Sequence, residues 1–160
     1  MTMECSNADF RYIDLAASEA KKSNALYRHG CIAVSSGKII AKGYNKYRTY
    51  SKDGLIPETC SCHAEIDVLR KCNKLPEKNK ISIYVVRLSE ADNLSNSTPC
   101  QQCVDTMKDF GIKKIIYSYQ NGTIEKHILR DFRSNVKTSG QIIYENYNEN
   151  PVNLYMKSIS

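Results

Sequence analysis

The sequence predicts an α/β sandwich built on a mixed sheet, and three observations carry that reading. Stretches with helical apolar spacing alternate with short strand-like runs along the chain. One run, ISIYVVRLS at 81–89, is almost continuously apolar, as a strand buried on both faces would be. Asn121-Gly122 stands between two further strand-like runs, the strongest short signal for an antiparallel hairpin.

The elements follow in order. Phe10, Ile13, Ala16, Ala17 and Ala20 recur at helical spacing, with Ser6 or Asp9 as the cap. Gly30 is expected to end the loop after this helix. CIAVSSGKIIAKGYN then reads as a β-hairpin turning at Ser36-Gly37. Arg48 to Thr59 is polar, holds Gly54 and Pro57, and reads as a loop. A second helix begins near His63, with Ala64, Ile66, Val68 and Leu69 as its apolar side, and Pro76 closes that region.

After the 81–89 strand, EADNLSNST is a polar connection. Pro99 suits the first turn of a third helix, which runs through Val104, Met107 and Phe110 to a stop at Gly111. KKIIYSY and TIEKHIL are the strands on either side of Asn121-Gly122. Beyond Arg130 only a short strand at 142–144 is assigned. One domain is expected over 1–160, with its core at about 10–129 and a C-terminal extension at 130–160.

The bulk properties narrow the classes. A chain of 160 residues can bury a core without disulfide staples. With 25% charged and 41% hydrophobic residues it sits near the globular average, not in the disordered range. No stretch reaches the ~18 apolar residues of a membrane span. The opening MTMECSNADFRYIDLAAS lacks the basic patch and apolar run of a secretory signal, so cytosol or nucleus is expected. In a reducing compartment the seven cysteines suit metal ligands and buried thiols better than a disulfide framework. The net charge of +6 suits an anionic ligand, a nucleotide phosphate or a nucleic-acid backbone, and equally a lysine-rich soluble surface. The eleven tyrosines can stack on bases or pack half-buried in the core.

The chemistry concentrates in two segments. CSCHAEIDVLRKC, at 60–72, holds three cysteines, a histidine and two carboxylates. TPCQQC, at 98–103, places Cys100 and Cys103 three apart at a helix start, where both thiols can point to one side. A helix N-terminus also favours the thiolate form that binds metal. His63 lies at a helix start too. If the strand between the two helices lies beside the next one in the sheet, both helix N-termini emerge at one sheet edge and the half-motifs meet. One histidine and two cysteines leave the fourth tetrahedral position of zinc open for water, the mark of a catalytic site. A water on zinc still needs a proton carrier, and Glu65, two residues beyond His63, is placed for that role without ligating.

The pattern H-A-E followed by P-C-x-x-C is that of the zinc-dependent nucleobase deaminases. Through HGCIAV, AKGYN, CHAEIDVLR and PCQQC…GIKKIIYS, over roughly residues 10–129, the chain resembles the cytidine and deoxycytidylate deaminase superfamily. The resemblance implies a three-layer sandwich with a central mixed five-stranded sheet flanked by helices. It implies one catalytic Zn2+ per chain on His63, Cys100 and Cys103, with activated water attacking C4 of a cytosine or C6 of an adenine. Glu65 would protonate the adjacent ring nitrogen and then the leaving amine. The Ala64 backbone would contact the base, Asn45 would lie against sugar and base, and Arg48 with Lys46 could meet a phosphate. Relatives are commonly oligomers, so a homo-oligomer is expected.

Several alternatives stay open. Cys60, Cys62 and Cys72 read as free thiols near the site, although one of them could close a four-ligand structural zinc. Cys31 reads as a core residue, and His29 and His127 as lone histidines. Asn45 could simply form a turn. The superfamily's last strand pair separates free-nucleoside enzymes, which resemble this chain in their hairpin, from the deoxycytidylate, tRNA and polynucleotide branches, which resemble it in their histidine ligand. The expected activity is deamination of cytosine in a nucleoside or nucleotide, such as CMP, dCMP or cytidine. The alternatives are deamination of a base within RNA or single-stranded DNA, and a non-catalytic zinc-binding scaffold, for which Glu65 has no use.

Overall fold

The structure, a computed structural model, describes residues 2–46, 63–73 and 80–136. In chain order these form helix α1 (Asn7–Ala20), strands β1 (Arg28–Ser35) and β2 (Lys38–Tyr44), helix α2 (Ala64–Cys72) and strand β3 (Ile81–Leu88). A two-residue strand β4 (Leu94–Ser95), helix α3 (Gln101–Asp109) and strands β5 (Lys114–Ser118) and β6 (Ile124–Ile128) follow. The sheet runs β2-β1-β3-β5-β6, with β4 pairing the end of β3. Only β3 and β5 are parallel; the other pairs are antiparallel. This is the mixed five-stranded sheet the sequence implied, with β4 added where β5 no longer reaches β3.

Strand alternation divides the core in two. Ile32, Val34, Tyr84, Val86 and Ile116 face α1 and meet its Tyr12, Ile13, Ala16 and Ala20. Cys31, Ala33, Ile83, Val85, Ile115 and Tyr117 face the other way, onto α2 and α3. Three layers result, with the two motif-bearing helices on one face. Both hairpins turn where the sequence placed them, through Ser36 and Gly37 at φ 52° and 75° and through Asn121 and Gly122 at φ 60° and 76°.

Some expectations are corrected. Gly30 lies within β1 and not at a loop end, because α1 crosses it closely: a Cβ there would stand 2.0 Å from the Ala16 carbonyl oxygen. Phe10 is 49% exposed and Tyr12 takes its place on the buried side of α1, which Ser6 and Asp9 cap reciprocally. Pro99 precedes the first turn of α3, since Cys100 is the N-cap. The polar 90–98 connection contains β4. Past Arg130, Phe132 is buried among α3 and β5 side chains, and the chain to Val136 lies along the start of α3. The 48–59 loop, Pro76 and the 142–144 strand lie outside the described residues. No described helix is long and apolar enough to cross a membrane.

Candidate active site

α2 and α3 start side by side over the end of the sheet where β3 finishes. His63 is the N-cap residue of α2 and Cys100 that of α3, so both sit in extended backbone just ahead of a helical turn. Cys103 follows one turn into α3 and is buried. The His63 Nδ1 lies 3.1 Å from Cys103 Sγ and 3.8 Å from Cys100 Sγ, and the Cys103 N–H donates to Cys100 Sγ at 3.4 Å. All three donor atoms fall within 4.8 Å of one another. Nitrogen and sulfur ligands on a tetrahedral zinc stand roughly 3.3–3.8 Å apart, so the spacing and the donor chemistry both fit that ion.

The electrostatics agree with thiolate ligation. A hydrogen bond from the Cys103 thiol holds Cys100 down to about 4, against its burial and with help from His63. The same shared proton, with burial, pushes Cys103 up. Burial depresses the His63 imidazole, but Cys100 and Glu65 beside it raise it on balance. Glu65 is only 4% exposed, and its burial pushes the carboxyl above the usual range while His63 draws it down. Thus Glu65 lies inside the protein, next to the three donors and touching Cys103, as a proton carrier at this place must.

Of the other residues singled out in the sequence, Ala64 is fully buried at the start of α2. Asn45 follows β2, and its side chain is engaged by the protein itself. Its Oδ1 accepts from the His29 N–H at 2.9 Å and from Ser23 Oγ at 2.7 Å, and its Nδ2 donates to the Tyr27 carbonyl at 2.6 Å. It therefore braces the chain that enters β1. Lys46 pairs with Asp67 at 3.2 Å. Arg48, Cys60 and Cys62 lie outside the described residues. Cys72 is buried at the far end of α2, about 13 Å along the helix from His63, and is no neighbour of the three donors.

Two residues given little or no weight in the sequence stand near the site. His29 lies in β1, and burial pushes its imidazole down to about 4, with His63 and Arg87 as further repelling charges. Arg87 stands opposite it on β3. A lone arginine ending an apolar run is the one sequence signal that marked the second.

The profile of the cytidine and deoxycytidylate deaminase zinc-binding region matches residues 6–119. A deoxycytidylate deaminase of Schizosaccharomyces pombe is 27% identical over 126 residues, covering 68% of this chain and 36% of its own length. The chain thus spans about a third of the length of that curated relative. Among solved structures, the dCMP deaminase of cyanophage S-TIM5 in apo form superposes with a TM-score of 0.55 at 23% identity, over 74% of this chain and 87% of that one. A cytidine deaminase from Burkholderia pseudomallei gives 0.58 at 18% identity, over 79% and 95%. At these identities the two structures speak for the fold.

Proposed function

Since the chain belongs to the cytidine and deoxycytidylate deaminase zinc-binding family, we propose that it is a zinc-dependent hydrolytic deaminase converting cytosine to uracil in a nucleoside or nucleotide. The observation that supports this most is the convergence of His63, Cys100 and Cys103 beside the buried Glu65. In this reading the three residues hold the ion, and bound zinc supplies water acidified to near neutral pH as the nucleophile. Glu65 would take a proton from the attacking water and deliver it to N3 of the base as C4 is attacked. It would then take the proton of the new C4 hydroxyl and hand it to the departing amine, so that water and cytosine leave as ammonia and uracil. The burial of Glu65 and Cys103 keeps bulk water from competing for that proton. The Ala64 backbone contacts the base and Asn45 borders the sugar.

A base within RNA or single-stranded DNA is the second reading, favoured by the +6 charge and by Tyr27, which is 55% exposed beside the site. A homo-oligomer is part of the proposal, tested by sedimentation. The enzymatic experiment is ammonia release by zinc-loaded protein on cytidine, dCMP and a cytosine-containing oligonucleotide. Release from a mononucleoside or mononucleotide supports the proposal. Release from the oligonucleotide alone, lost steeply with added salt through counterion release, replaces it with the second reading. Silence on all three overturns both.

A further inference from the structure

Arg87 is placed and left unspent in a way the site described so far does not use. On β3 it follows Val85 by two residues, and so faces α2 and α3, as His29, two before Cys31, does on β1. His29 and Arg87 stand opposite one another in the β1·β3 register, and the Asn45 N–H donates to the His29 carbonyl. Asn45, just past β2, His29 on β1 and Arg87 on β3 therefore form a row at the end of the sheet from which α2 and α3 start.

The Arg87 guanidinium lies over the Tyr27 ring, 4.6 Å from its centroid. Its Nε is buried without a hydrogen-bond partner, and among the described residues the side chain forms no ion pair. Buried donors of this kind normally find an acceptor. The cations nearby are already spent: Arg28 donates to the Ser89 carbonyl and pairs with Asp92, and Lys46 and Lys71 share Asp67. Nor does His29 supply an acceptor of opposite charge, since an imidazole is either neutral or cationic. What is missing is an anion, and a planar guanidinium with its Nε donor unpartnered matches a phosphate oxygen.

We infer that Arg87, held by Tyr27, receives the phosphate of the substrate, so that the molecule deaminated is a cytosine mononucleotide and not the free nucleoside. This rests on the deaminase reading above and names its substrate class. The test is calorimetric binding to zinc-loaded Glu65→Gln protein, which cannot turn its ligand over. The ligands are dCMP, deoxycytidine, inorganic phosphate and a cytosine-containing oligonucleotide.

With Arg87 present, dCMP should bind roughly 10- to 100-fold more tightly than deoxycytidine, the range expected of hydrogen bonds to a charged group. Arg87→Gln should bring that ratio close to one, and Arg87→Lys should keep part of it, with the melting temperature checking that each variant is folded. Equal binding of dCMP and deoxycytidine overturns the inference, as does a preference that survives Arg87→Gln. An Arg87-dependent oligonucleotide that outcompetes dCMP overturns the mononucleotide assignment, and inorganic phosphate binding as tightly as dCMP reduces the site to a general anion site. Failure of the deaminase reading shows separately, as wild-type protein that binds dCMP through Arg87 and releases no ammonia from it.

Discussion

Glu65 is a carboxylate inside the protein beside three metal-donor side chains, and nothing about packing asks for a charge there. Glu65→Ala should therefore retain zinc by mass spectrometry while losing at least roughly 100-fold in kcat, as removal of a general acid–base does. A variant with wild-type turnover would contradict the mechanism. Cys100→Ala should instead lose the metal, and full zinc content in it would show the ligand set to be wrong. That His63, Cys100, Cys103 and Glu65 come together was legible because zinc chemistry allows few residue types at few spacings. Asn45 was only half legible: G-Y-N marks a strand end, but its three partners come from residues 23–29, which local sequence cannot place. Arg87 was illegible, because its meaning lies in the register with His29 and in the ring of Tyr27.

The helix that carries His63 and Glu65 is clamped to the sheet by a second buried acid in its first turn. Asp67 pairs with Lys46 and Lys71 and accepts from the Tyr44 N–H at 3.4 Å, and Gly43 leaves it room, since a Cβ there would meet its Oδ2 at 2.6 Å. Asp67→Asn should cost about 1–2 kcal/mol in chemical denaturation, the Lys partners being partly solvated. An unchanged midpoint would show that the clamp contributes nothing. On the opposite face, Asp9 ties α1 to the sheet through Tyr84 at 2.6 Å and Lys126 at 2.7 Å. Burial raises its carboxyl, but the bonds to Lys126, Tyr84 and Ser6 outweigh this and hold it below the usual range. Its stabilising contribution is thus present above the unfolded-state value of about 3.9 and is lost as pH falls through the lower folded value. Asp9→Asn should accordingly flatten the acid side of a stability–pH curve, and an unchanged acid limb would contradict this. At this scale the turns were the legible part, because Ser36-Gly37 and Asn121-Gly122 need backbone that few residues adopt. Phe10 and Gly30 misled because apolar spacing does not report how closely a helix crosses a strand.

Taken whole, the molecule is a sheet whose α2/α3 face gathers the metal donors, the buried acid and an unspent arginine at one end. The chain order of elements was readable from periodicity, and the three-layer arrangement followed from the family resemblance. That the segment from Leu129 to Val136 returns to the start of α3 was not, because it depends on single contacts such as Gln101 N–H to the Val136 carbonyl at 3.1 Å. The central claim is that His63, Cys100 and Cys103 make an open, catalytic zinc site and not a closed structural one. X-ray absorption at the zinc edge of the purified protein tests it most directly. The account predicts two sulfur and two lighter scatterers per zinc. Three sulfurs would mean that Cys60 or Cys62 closes the site, and would contradict it.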